Sequence, residues 1–180
     1  MVHKLPPEIP LDYAAIIEPL AIVWHAIKVS KVTDWPKQSI LVLGGGPIGF
    51  ALLLCLRAIG ATNVIVSEPT ETRRRQVADF ASKIVNPVTD DVEKVCKEAS
   101  NDQGVDVVFD CAGVQVALDA GFKAIAYEGL YVMVAVWEAP MAVPNFEFLM
   151  KHITLKGTFV IGDGKHTRTK LKTRAKTTDR

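Results

Sequence analysis

Leu41-Val-Leu-Gly-Gly-Gly-Pro-Ile-Gly49 carries an apolar run into a glycine cluster spaced Gly44-x-Gly46-x-x-Gly49. The pattern predicts a buried strand, a tight turn and the start of a helix. Gly44 permits the sharp turn, Gly46 removes the Cβ that would obstruct a pyrophosphate, and Gly49 lets the helix come close to the strand. The free N–H groups and the positive end of the helix favour an anion there. The whole turn, Pro47 and Ile48 included, is the first candidate binding element.

Such a spacing is weak evidence by itself, and its surroundings decide its value. The next strand ends in Ser67-Glu68, 19 residues beyond Gly49. A dinucleotide fold places an acidic side chain there to accept hydrogen bonds from the adenosine ribose. A carboxylate at that point repels the 2′-phosphate of NADP, so Glu68 favours NAD. Arg73, Arg74 and Arg75 pull the other way, since an arginine after the second strand can hold that phosphate; the alternative is that they are solvated positions on a helix. A methyltransferase would share the sheet and the ribose acid, but such enzymes carry an acidic residue just before the glycine loop, where this chain has Leu41-Val-Leu43.

Around this unit, strand and helix signals alternate. Strands are expected at Ile40–Leu43, Val64–Ser67, Lys83–Asn86, Val105–Asp110, Leu130–Val136 and Ile153–Phe159. Helices are expected at Pro47–Ile59, Glu71–Ser82, Val92–Ser100, Val114–Ala126 and Asn145–Lys151. Ahead of them, Tyr13–Val29 reads as one long helix with Asp12 as N-cap and an interruption near Pro19, followed by a loop over Lys31–Lys37. Alternation of this kind implies right-handed crossovers and a doubly wound parallel sheet of about six strands, an α/β Rossmann fold.

The composition agrees. The 180 residues are 49% hydrophobic and 23% charged, enough for one substantial core. The 19 uncharged residues between Lys37 and Arg57 would fill a membrane window, yet the glycine triplet and Pro47 in the middle favour a buried strand-turn-helix. No basic segment followed by an apolar one succeeds Met1, so a soluble, cytoplasmic protein is expected. The net charge of +1 hides an asymmetry: residues 165–180 hold seven Lys/Arg and one Asp, leaving 14 basic and 19 acidic side chains elsewhere. That tail, within a segment 162–180, has little to bury and is expected to be disordered. Nucleic-acid binding is open to it, but a solvated terminus is the simpler reading.

The remaining reactive residues are scattered. Cys55, Cys96 and Cys111 show no C-x-x-C pairing, and His3, His25, His152 and His166 show no metal spacing. Cys111 has no histidine or cation nearby in sequence to activate it, so a nucleophilic role is disfavoured. Asp110, Cys111 and Gly113 end the fourth strand at the ligand-binding edge of such a sheet, where Asp110 either borders a cofactor or caps the next helix. Glu18, in Ile16-Ile-Glu-Pro-Leu20, interrupts an apolar stretch and either faces solvent or meets a cation.

Six separated motifs occur in an order that resembles one family. Glu18-Pro-Leu, His25, the glycine turn, Ser67-Glu-Pro69, Asp110-Cys-Ala-Gly-Val-Gln115 and Val134-Ala-Val-Trp-Glu-Ala-Pro140 look like the cofactor domain of zinc-containing medium-chain dehydrogenases. The resemblance is nearest to fungal 2,3-butanediol dehydrogenases, with sorbitol dehydrogenases next. It implies hydride transfer from a secondary alcohol to NAD, helped by a catalytic zinc that polarises the alcohol. It also implies that Glu18 belongs to the zinc environment, that Glu68 and Arg73 hold the adenosine end, and that Cys111, Val134 and Phe159 line the cofactor cleft. The substrate is then an alcohol or ketone, and the full-length protein a homo-oligomer paired through the sheet edge.

The family's main zinc ligands, a cysteine and a Gly-His-Glu motif, belong to a domain that precedes Val2 in the alignment. The chain is therefore expected to be a cofactor portion: residues 1–36 a leading helix and linker, 37–161 the NAD-binding domain. By itself it is expected to be inactive. Two rivals are a non-catalytic NAD(H)-binding or docking module and a zinc-independent reductase, the latter having no use for Glu18.

Overall fold

Ser39–Leu43 forms the first strand, β1, and all five of its residues are buried. A strand buried on both faces belongs in the middle of a sheet covered twice. The computed structural model describes residues 4–159; the basic segment 162–180 lies outside them. Five more strands follow: β2 (Asn63–Ser67), β3 (Lys83–Val85), β4 (Val105–Asp110), β5 (Ile125–Met133) and β6 (Thr154–Gly157). They form one sheet in the order β3-β2-β1-β4-β5-β6, and every pairing is parallel. This is the Rossmann-type α/β sheet expected from the sequence.

The helices are α1 (Ile17–Ser30), α2 (Pro47–Ala58), α3 (Glu71–Val77), α4 (Val92–Glu98), α5 (Gln115–Ala124) and α6 (Asn145–Met150). Alternate strand residues feed two cores. Ile40 and Val42 pack with Val66, Val107 and Phe109 beneath α1 and α2, whereas Leu41 and Leu43 pack with Ile65, Val108 and Tyr131 beneath α4 and α5. Each fully buried side chain of this size contributes about 1.5–3 kcal/mol. The stretch between Lys37 and Arg57 is thus interior strand and helix. By length and composition alone Leu11–Ser30 is also apolar enough to cross a membrane, but α1 buries Val23, Ala26 and Ile27 against α2.

Several boundaries differ from expectation for identifiable reasons. Asp12 is not an N-cap: Pro10 begins a 3-10 turn over Leu11–Ile16, with Asp12 inside its first turn. Pro19 interrupts nothing, because it lies in the first turn of α1, where its missing N–H has no intrahelical partner to lose. The helix expected over Glu71–Ser82 leaves α-geometry after Val77, passing through a short 3-10 turn at Ala78–Phe80 into β3. Strand β5 pairs first at Ile125 and resumes its regular ladder at Leu130, with Glu128 at φ 57° in between. It ends at Met133 because Val134 and Ala135 both donate their N–H groups to the Asp110 carbonyl.

Two lysines tie the far edge of the sheet to helix C-termini. Lys156 Nζ donates to the Ser30 carbonyl at 3.1 Å, and Lys151 Nζ donates to the carbonyls of Phe122, Lys123 and Ile125 at 3.0, 2.7 and 2.9 Å. Carbonyls at a helix end have no intrahelical donor, so a cation there is worth more than its exposure suggests. Replacing Lys151 by Met should cost about 1–3 kcal/mol in urea unfolding, whereas Lys123→Met should change stability by less than about 0.5 kcal/mol. Equal effects would show that the three carbonyls do not depend on Lys151.

Candidate functional site

The glycine turn is built by contact. At Gly49 a Cβ would stand 1.9 Å from the Gly44 carbonyl oxygen, so only a glycine allows α2 to sit this close to the end of β1. Gly44, at φ +93°, donates its N–H to the Ser67 carbonyl, and a Cβ there would press on the Cys111–Ala112 backbone at 3.3 Å. Gly46 is different in kind. It is the N-cap of α2 with an ordinary extended backbone, and a Cβ would meet only Arg73 Nη1, 3.8 Å away. Space is left open there on the side facing the arginine, at the positive end of a 12-residue helix.

A cleft of about 490 Å³ opens beside this turn. Its walls are the exits of β1, β2, β3 and β4, the place where the chain reverses its direction of winding and where open α/β sheets bind ligands. Gly44, Gly46, Pro47, Ile48, Glu68, Arg73 and Cys111 all line it. Gly49 lies beneath as packing, and Val134 and Phe159 are not among the walls: Val134 is buried in the α1/α2 core and Phe159 is exposed. The sequence reading missed Pro87 and Val88 after β3, and Ala117 and Ala120 on α5. Small or apolar residues in a loop and on a helix carry no motif, and only strand order brings them to the cleft.

Glu68 is almost wholly buried, and backbone amides hold both of its carboxylate oxygens. Oε2 accepts from the Gly45 N–H at 2.7 Å and Oε1 from the Thr70 N–H at 2.8 Å. The carboxylate therefore braces the glycine turn against the start of α3 while retaining lone pairs toward the cleft. The three arginines separate. Arg74 donates to the Glu68 carbonyl, Arg75 pairs with Glu71, and Arg73 is the one at the cleft.

Asp110 neither lines the cleft nor caps α5, whose N-cap is Val114. It is fully buried, and its Oδ1 accepts from the Ala112 and Gly113 N–H groups, both at 2.9 Å. Burial pushes its carboxyl above the ordinary aspartate value, opposed by those amides and by the facing Trp137 and Tyr131 side chains. Cys111 is also raised by burial and by the Asp110 charge, which leaves a thiol rather than a nucleophile at the cleft wall.

Glu18 is exposed on the first turn of α1. Among the described residues no three His, Cys, Asp or Glu side chains gather where a metal could be held. A single carboxylate cannot complete a zinc site, so the described residues by themselves do not fit a catalytic zinc. The nucleotide case is the opposite, since the cradle at Gly46, the helix terminus and the Glu68 and Arg73 side chains match a dinucleotide's phosphates and ribose.

Known proteins resemble this chain in sequence and in fold. The profile of a family described as zinc-binding dehydrogenase matches residues 47–175. The (R,R)-butanediol dehydrogenase of Saccharomyces cerevisiae is 35% identical over 161 residues, covering 88% of this chain and 41% of that protein. The crystal structure of 2R,3R-butanediol dehydrogenase from Bacillus subtilis superposes with a TM-score of 0.80 at 28% identity, over 96% of this chain and 49% of that one. A zinc-binding dehydrogenase from Sinorhizobium meliloti, solved bound to NADP, gives 0.76 at 28% identity, over 93% and 51%. The chain thus spans about half the length, or less, of the relatives it matches.

Two outcomes test the site. Gly46→Ala should keep its unfolding midpoint in urea while weakening dinucleotide binding at least tenfold, whereas Gly49→Ala should lose about 3 kcal/mol or more of stability through its clash with Gly44. Comparable stability losses in both would remove the distinction between cradle and packing. Asp110 gives the second. A carboxyl whose folded value lies above its unfolded value contributes stability in full below the unfolded value and loses it as pH rises through the folded one. Relative to Asp110→Asn, the wild type should therefore lose stability as pH rises from about 4 toward neutrality; a pH-independent difference would mean that burial does not shift this group.

Proposed function

Because the chain belongs to the zinc-binding dehydrogenase family, we propose that its cleft binds NAD(H) and that these residues are the cofactor portion of an enzyme oxidising a vicinal diol or polyol. The observation that carries the reading is the open space at Gly46, bounded by Arg73 and braced from below by Glu68. A nicotinamide dinucleotide supplies the hydride acceptor when bound. The chain's own contribution is to seat it: the α2 terminus and the Gly46 cradle receive the pyrophosphate, Arg73 adds positive charge, and Glu68 accepts from the ribose. Pro87, Val88, Ala117 and Ala120 give the apolar walls suited to an adenine ring.

Glu68 supports NAD over NADP. A carboxylate about 5 Å from a phosphate opposes it by about 3 kcal/mol per unit of phosphate charge at an effective dielectric of ~20. The exposed Arg73 favours a second reading, NADP(H), as in the relative solved with that nucleotide. Alcohol oxidation in the whole protein rests on resemblance to the butanediol dehydrogenases, and the expected pairing of two copies through β6 rests on the same ground. The described residues supply Glu18 alone toward a zinc centre, so the zinc-supplemented chain should oxidise no 2,3-butanediol.

Calorimetric titration of the purified chain should show NADH binding at least tenfold more tightly than NADPH. Glu68→Gln should narrow that ratio and, because one backbone N–H loses its acceptor, lower stability by about 1–3 kcal/mol. Tighter NADPH binding would transfer the assignment to NADP. Absence of binding to either nucleotide would overturn it.

A further inference from the structure

Of the buried side-chain polar atoms without a hydrogen-bond partner among the described residues, three belong to one place: Asp110 Oδ2, Tyr131 Oη and Trp137 Nε1. The Trp137 indole lies against the Gly113 backbone that Asp110 Oδ1 holds, and both Trp137 and Tyr131 favour the charged form of the Asp110 carboxyl, though neither meets Oδ2 in a hydrogen bond of normal geometry. Burying an unpaired carboxylate oxygen is costly unless donors approach it. Two donors and one acceptor are thus buried without partners around this strand end.

The same residue holds two loops by its other polar atoms. Its Oδ1 takes the Ala112 and Gly113 amides, which shapes the Cys111–Val114 lip of the cleft. Its carbonyl takes the Val134 and Ala135 amides, each at 2.9 Å, which turns the chain out of β5 toward Trp137. The two loops also touch: at Gly113, φ +66°, a Cβ would meet Ala135 Cβ at 3.0 Å, the Val136 carbonyl at 3.3 Å and Trp137 Cδ1 at 3.9 Å. Tyr131 is held on the other side by α5, since a Cβ at Gly121 would come within 2.8 Å of its ring.

We propose that Asp110 is a positioning residue for the nucleotide: through Oδ1 it sets the Cys111–Val114 lip, and through Oδ2 it latches the Trp137 loop to that lip. The two loops then respond to a bound dinucleotide as one unit. This rests on the cleft being a nicotinamide dinucleotide site. Asp110→Asn retains an oxygen for the Ala112 and Gly113 amides but turns an NH₂ toward the Trp137 N–H, so it keeps the lip and breaks the latch. Asp110→Ala removes both.

The test uses the full chain with NADH, by calorimetry and by the ¹⁵N-indole resonances, with Trp137 assigned from Trp137→Phe. The wild-type Trp137 indole signal should move on NADH addition. Asp110→Ala should bind NADH at least tenfold more weakly. Asp110→Asn should recover most of that affinity, with a Trp137 signal that no longer responds. Should the alanine variant not fold, Asp110→Asn and Tyr131→Phe carry the test through the same indole signal, each expected to lose the response. Wild-type affinity in Asp110→Ala, or an unchanged indole response in Asp110→Asn, overturns the latch while the nucleotide site stands. No NADH binding by the wild-type chain overturns both.

Discussion

The contact on which the structure depends is that between the first turn of α2 and the end of β1. With a side chain at position 49 the Gly44 carbonyl would have to move, and with it everything that rests on Gly44. The Gly44 N–H bonds the exit of β2, and its bare Cα faces the Cys111–Ala112 peptide at the exit of β4. One close approach therefore sets the relative heights of three strand ends. The cleft is the space those heights leave, and the helix terminus that faces it is there for the same reason.

Glu68 shows how such a site can be held ready without a ligand. A carboxylate this deeply buried is tolerated because two backbone amides neutralise its cost with charge-assisted hydrogen bonds. Those bonds fix the glycine turn relative to α3, so the group read as a ligand contact is also a brace for the loop that would cradle the phosphates. Selectivity and architecture are coupled at this residue. Arg73, by contrast, is exposed at the cleft, so its charge is available to whichever phosphate arrives.

Holding a cofactor and using it fall to different residues. On the proposed reading the cleft residues seat a nucleotide, whereas among the described residues only Glu18 is expected, from the family resemblance, near a catalytic metal. The geometry of the chain therefore supports the binding half of a dehydrogenase reaction, and the relatives, about twice as long or longer, supply the reason to expect the other half.

Much of this was legible in the sequence because it depends on short-range constraints. The glycine spacing, the acid at the end of β2 and the alternation of strands with helices each encode a local geometry, and together they specify the parallel sheet and the position of its cleft. Other features needed the tertiary structure. Strand order alone brings Pro87, Val88, Ala117 and Ala120 to one cavity, and only packing separates Arg73 from Arg74 and Arg75. Asp110, by sequence either a cofactor border or a helix cap, is neither, because its side chain is fully buried and its Oδ1 takes the Ala112 and Gly113 amides. A sequence carries the propensities of each segment; which polar atoms are buried against one another is decided when the segments dock.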